Sequence, residues 1–155
     1  MIRPATDIDA SAIARIWNAV IRDTTITFNP IEKSDVEVAA LIKQNTLVWE
    51  ENGDVLGFAR FYPFRSGEGY KHTVEHTIML DHRAQSRGVG RALLAALCDD
   101  AKRKDVRIMI AGCSGAAPAA VAFHAACGFE TVATMSEVGF KFGHWIDLVL
   151  MQKRL

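Results

Sequence analysis

The chain has 155 residues, half of them apolar, which is enough for one compact core and too little for two; residues 1–155 are therefore expected to form a single domain. Eighteen Lys and Arg balance eighteen Asp and Glu, which excludes a net field that would recruit nucleic acid or an anionic membrane and leaves any anion to a local site. No apolar run approaches the roughly 20 residues that span a bilayer, and the start MIRPATDIDA has no basic flank leading into an apolar stretch, so a cytoplasmic protein is expected.

In chain order, a short start at Ile2-Arg3-Pro4 precedes Asp7 to Arg22, where Ile13, Ile16, Trp17, Val20 and Ile21 recur at helical spacing and make one apolar face. Ser34 with Glu37 three residues later is a capping box, which predicts a second helix from Asp35 to about Gln44. The pattern then changes. Leu47-Val48-Trp49 and Val55 to Ala59 flank Asn52-Gly53, a pair that tolerates positive φ and predicts a β-hairpin. Pro63 to Gly69 reads as a loop and Thr73 to Leu80 as a third long strand.

Gly88 to about Lys104 carries Val89, Ala92, Leu93, Ala96, Leu97 and Ala101 on one face and most of its charges on the other, an amphipathic helix. Val106 to Ala111 reads as a strand, Ala119 to Cys127 as a helix closed by Gly128, and strands follow around Val132 and at Trp145 to Met151. The predicted order is βααβββαβαββ. An antiparallel meander followed by a βαβ element predicts an α/β domain with a mixed sheet covered by helices.

Between a predicted strand and the best-defined helix lies Gln85-Ser86-Arg87-Gly88-Val89-Gly90-Arg91, a Q-x-x-G-x-G run. Glycines let the backbone approach a ligand, and the free N–H groups and dipole of a helix start suit a phosphate. The dinucleotide fingerprint G-x-G-x-x-G is not matched, which disfavours a nicotinamide cofactor. Cys98, Cys113 and Cys127 have no C-x-x-C spacing and read as reduced packing thiols, and no His, Cys or Asp grouping has metal-ligand spacing, so no metal is expected.

This run resembles the signature with which GNAT acetyltransferases hold the pyrophosphate of coenzyme A. Thr25 to Phe28, Pro63-Phe64-Arg65, Thr73-Val74-Glu75 and above all Val138 to Asp147 resemble, in order, segments of the phosphinothricin and methionine sulfoximine acetyltransferase branch. The resemblance implies a mostly antiparallel twisted sheet of about seven strands with four helices. It also implies acetyl-CoA as cosubstrate, bound along Ile78, Met79, Leu80, Gln85, Ser86, Arg87, Gly88, Val89, Gly90, Arg91 and His124. Glu75 is implied as the base that takes a proton from the acceptor amine. Phe28, Arg65, Lys141, Phe142 and His144 are implied to line an amino-acid pocket, with cations for an α-carboxylate, and a homodimer is implied because the Val138–Asp147 element completes the partner's pocket in such enzymes.

Three departures stand out. Ala117-Pro118-Ala119-Ala120 replaces the usual N-x-A-S, Met79 stands where the branch more often has Tyr, and Gly67 stands where a second Arg is usual. A protein N-terminal or lysine acetyltransferase and a non-catalytic acyl-CoA sensor stay open as alternatives; the presence of Glu75 speaks against the sensor. His76, one residue beyond Glu75, is expected on the opposite face of the strand and outside any relay with it.

Overall fold

The computed structural model describes all residues, 1–155. The strands are β1 (Ile2–Pro4), β2 (Thr46–Glu51), β3 (Asp54–Pro63), β4 (Thr73–Leu80), β5 (Ile108–Ser114), β6 (Glu130–Lys141) and β7 (His144–Arg154). The helices are α1 (Ala10–Asp23), α2 (Asp35–Leu41), α3 (Val89–Arg103) and α4 (Pro118–Ala126). The order is the one read from the sequence.

Local chemistry explains most boundaries. Ser34 Oγ accepts from Glu37 N at 3.2 Å and Glu37 Oε2 accepts from Ser34 N at 3.3 Å, so the capping box forms, although α2 stops at Leu41, short of Gln44. Asn52 and Gly53 turn the β2–β3 hairpin with φ of 53° and 84°. The first helix opens differently from expectation: Asp7–Asp9 form a 3-10 turn, and Asp9 is held by Arg3 before α1 begins. The final two strands are longer than their apolar centres indicate and join through a tight turn at Phe142-Gly143.

One seven-stranded sheet runs β1-β2-β3-β4-β5-β7-β6, antiparallel at every pairing except β4–β5, which is parallel. Its two faces bury separate cores. Ile13, Trp17 and Ile21 of α1 and Val38 of α2 pack on Val48 and Phe58, while Leu93, Leu94 and Leu97 of α3 pack with Phe61, Val74 and Met109. Burying an aliphatic or aromatic side chain is worth about 1.5–3 kcal/mol, so these faces fix the α/β layering. No helix is long and apolar enough to cross a membrane.

Candidate active site

The site arises from a break in the sheet. β4 and β5 pair only at Thr73↔Ile108, Val74↔Met109 and Glu75↔Ile110; β4 then runs on to Leu80 and β5 to Ser114 without pairing. Asp81 N bonds to Leu56 O, Thr73 O accepts from Phe64 N, and His72 O accepts from Arg107 N and Ile108 N. By alternation, odd-numbered residues of β4 aim their backbone groups at β3 and even-numbered ones at β5. The amide groups of Ile78 and Leu80 therefore face an open fork with no strand partner, an edge suited to an extended ligand that carries amides.

A cavity of about 660 Å³ fills the fork. Ile78, Met79 and Leu80 line it from β4, and Gln85, Ser86 and Gly90 line its mouth. The helix behind the mouth has the geometry of an anion site: Gly88 is its N-cap with φ 80°, and no side chain caps the N–H groups of its first turn. Asp81 shapes the approach to this turn, accepting from Arg83 N at 2.9 Å and from the guanidinium groups of Arg83 and Arg15. Those bonds hold its carboxyl far below the ordinary range.

Glu75 stands at the apex of the fork and lines the cavity. Burial pushes its carboxyl above the ordinary range, and the phenol of Tyr62, its cross-strand neighbour, opposes the rise. A half-buried carboxylate of raised basicity suits a general base. Phe28 lines the acceptor side and lies against Gly139 of β6, where a Cβ would come within 2.5 Å of its ring.

Several candidate residues are held by protein partners or lie outside this chain's cavity. Lys141 is 2% exposed, and its ammonium donates to Thr24 O at 2.6 Å and Thr27 O at 2.8 Å, so it braces the loop that carries Phe28 and is not free for a carboxylate. Burial lowers its basicity. Arg65, Phe142 and His144 are exposed and lie outside this chain's cavity; Phe142 and His144 flank the β6–β7 turn. Arg87 is tied to Glu51 at 2.8 Å and Arg83 O at 2.9 Å, whereas Arg91 projects to solvent from the first turn of α3. Val89 is a core residue beside Leu56 and Ala84 and offers the mouth only its backbone.

His124 borders the cavity but has no free nitrogen: Nδ1 lies 2.7 Å from Ala120 O and Nε2 lies 3.1 Å from His76 Nε2. His76 is on the face opposite Glu75, as alternation requires, and is nevertheless part of the wall. Cys113 Sγ sits 3.4 Å from His124 Nδ1, and burial lifts the thiol to about 11, so it is a neutral wall residue and not a nucleophile. Tyr62 and Gly112 also reach the site, and neither stood out in the sequence. Only the strand register, with Tyr62 opposite Glu75 on β3, brings the phenol there. No three His, Cys, Asp or Glu side chains come together as a metal-ligand group.

An open strand edge, an uncapped helix start and a basic carboxylate between them are what acetyl transfer from a thioester to an amine requires, and residues 14–129 match the acetyltransferase (GNAT) family. The chain belongs to that family and is an acetyl-CoA-dependent N-acetyltransferase. It is 37% identical to the L-methionine sulfoximine/L-methionine sulfone acetyltransferase of Salmonella typhimurium, over 99% of this chain and 94% of that protein. Among solved structures it is similar to the GNAT phosphinothricin acetyltransferase of Sinorhizobium meliloti in complex with AcCoA, with a TM-score of 0.94, 32% identity and coverage of 100% and 88%. It is also similar to the ribosomal-protein-alanine N-acetyltransferase of Brucella melitensis, with a TM-score of 0.95, 35% identity and coverage of 100% and 99%.

Proposed function

We propose that the acceptor is a small amino acid or amino-acid analogue of the methionine sulfoximine, methionine sulfone or phosphinothricin kind, acetylated on its amine by direct transfer. The observation that carries this reading is the covered acceptor side. Ile26, Thr27 and Phe28 wall the cavity beside Glu75, and Lys141 pins their loop through two backbone carbonyls. A pinned wall limits the acceptor to a small molecule, whereas a protein terminus would need an open groove. The likeness to a ribosomal-protein-alanine acetyltransferase keeps a peptide acceptor as the rival reading.

In this reading residues 1–155 form one catalytic domain, supported by a single sheet that takes strands from Ile2 to Arg154. The thioester of acetyl-CoA supplies the activated acetyl group. The backbone of Ile78 and Leu80 holds the extended arm, and the first-turn N–H groups of α3, with Arg91 nearby, hold the pyrophosphate. Glu75 accepts the proton of the attacking amine. The buried thiol of Cys113 favours transfer within a ternary complex over an acetyl-enzyme.

The reading places the protein in the cytoplasm as a homodimer. Val138, Phe140, Phe142 and Trp145, each more than half exposed, make an apolar surface on the β6–β7 hairpin. A second copy seated there would cover it and bring Arg65, Phe142 and His144 of one protomer toward the other's cavity. The deciding experiment is acetyl-CoA turnover over amino acids, the three analogues and an Ala-initiated peptide. Turnover of the analogues with none of the peptide is expected; the reverse result would replace this reading with the peptide one.

A further inference from the structure

Tyr62 and Glu75 are direct cross-strand partners in the β3–β4 register, so their side chains leave the same face of the sheet side by side, and both line the cavity. Thr77, two residues along β4, is on that face as well and also lines the cavity. On the other side of the fork, Glu75 Oε1 lies 3.0 Å from where a Cβ of Gly112 would be, so the carboxylate rests over a position with no side chain. Glu75 is thus flanked by a donor on β3 and by free space on β5.

We propose that Tyr62 is the positioning residue for Glu75: its hydroxyl donates to the carboxylate, and together with the gap at Gly112 it aims that group across the fork at the acceptor amine. This rests on the reading of Glu75 as the base. The direction of the bond follows from the surroundings. A carboxylate can only accept, and burial together with the Glu75 charge pushes the phenol's own ionisation upward, so the hydroxyl is the donor.

The charged groups near the pair are few. Arg60 of β3 stacks on the Tyr62 ring at 4.9 Å, β5 presents Ile110 and Gly112, β7 presents Leu148, and the segment after α1 presents Ile26, Thr27 and Phe28. None of these but Arg60 titrates or carries charge. Tyr62 is accordingly the group that opposes the effect of burial on Glu75. Removing its hydroxyl should raise the Glu75 pKa, because a bond donated to a carboxylate favours the charged form.

Tyr62→Phe keeps the ring and deletes the donor. The Glu75 carboxyl, assigned in ¹³C-glutamate-labelled protein by its absence from Glu75→Gln, should titrate at higher pH in Tyr62→Phe than in the parent. The acid limb of kcat/KM should move the same way with two acceptors of different amine basicity, and kcat should fall about tenfold. Gly112→Ala, which fills the space under the carboxylate, should lower kcat with acetyl-CoA affinity kept. An unchanged carboxyl titration and an unchanged acid limb in folded Tyr62→Phe would overturn the proposal. Parental turnover by Glu75→Gln would instead overturn Glu75 as the base, while the carboxyl shift in Tyr62→Phe would still report the contact.

Discussion

The Nε2 atoms of His76 and His124 lie 3.1 Å apart inside the protein, and one placement of protons satisfies the contact. Ala120 O can only accept, so His124 Nδ1 carries a hydrogen and His124 Nε2 is a lone pair; His76 Nε2 must then donate to it. His76 Nδ1 is left as a buried acceptor without a protein partner. Burial, then the neighbouring ring, drives the His76 pKa from 6.5 to about 3, and burial lowers that of His124 as well.

Both rings are neutral in the fold but take protons in the unfolded chain below about pH 6.5, so stability is complete above that pH and is lost as pH falls. His76 should remove up to about 1.4 kcal/mol per pH unit between roughly pH 6 and 4.5, before Asp9 and Asp81 begin to lose their charge in the unfolded chain, and His124 acts in the same direction. Glu75, with its raised pKa, acts in the opposite sense and offsets part of this. Urea unfolding at pH 7, 6 and 5 measures the slope, and His76→Leu/His124→Leu should flatten it. A flat curve in the parent would refute the neutral pair.

The element order was legible because each signal is local: helical spacing in α1 and α3, Asn52-Gly53 at a hairpin, and Ser34 with Glu37 at a cap. The glycine turn into α3 was legible for the same reason, since Gly88 takes a positive φ at the helix N-cap. Lys141 was not. A lysine in an alternating strand reads as solvated, and its burial depends on carbonyls more than 110 residues away in the chain. Likewise the tie from Arg87 to Glu51 and the proximity of Tyr62 to Glu75 belong to register and tertiary packing, which no local pattern encodes.

Glu75→Gln keeps shape and removes the proposed base. Because general-base catalysis is typically worth about 10²–10⁴-fold, kcat should drop within that range while calorimetric acetyl-CoA affinity stays at the parental value. Turnover within threefold of the parent would move the base elsewhere.

Lys141→Met tests the pinned wall. It leaves the carbonyls of Thr24 and Thr27 without their donor, at a cost of about 2 kcal/mol in unfolding free energy, and frees the loop that ends at Phe28. The acceptor KM should rise about tenfold, with the acetyl-CoA KM little changed. A variant with parental acceptor KM and stability would show that the two bonds do not hold the wall.

Phe140→Lys/Trp145→Glu places charges on the exposed hairpin face, where the two rings lie 4.8 Å apart. Sedimentation at micromolar concentration should show the parent as a dimer and this variant as a monomer with weakened acceptor binding. A fully active parental monomer would remove the homodimer.

The fork between β4 and β5 has a further consequence, for how long each molecule survives. Backbone groups at Ile78 and Leu80 that find no strand partner leave the middle of the sheet unfinished, and a ligand lying along them finishes it. Any such ligand stabilises the fold by mass action, about 2.7 kcal/mol at 100 times its Kd. Local opening beside the fork, the step that admits a protease, is then suppressed in proportion to the free donor. Resistance of the folded chain to proteolysis is therefore expected to rise with the concentration of free acetyl-CoA.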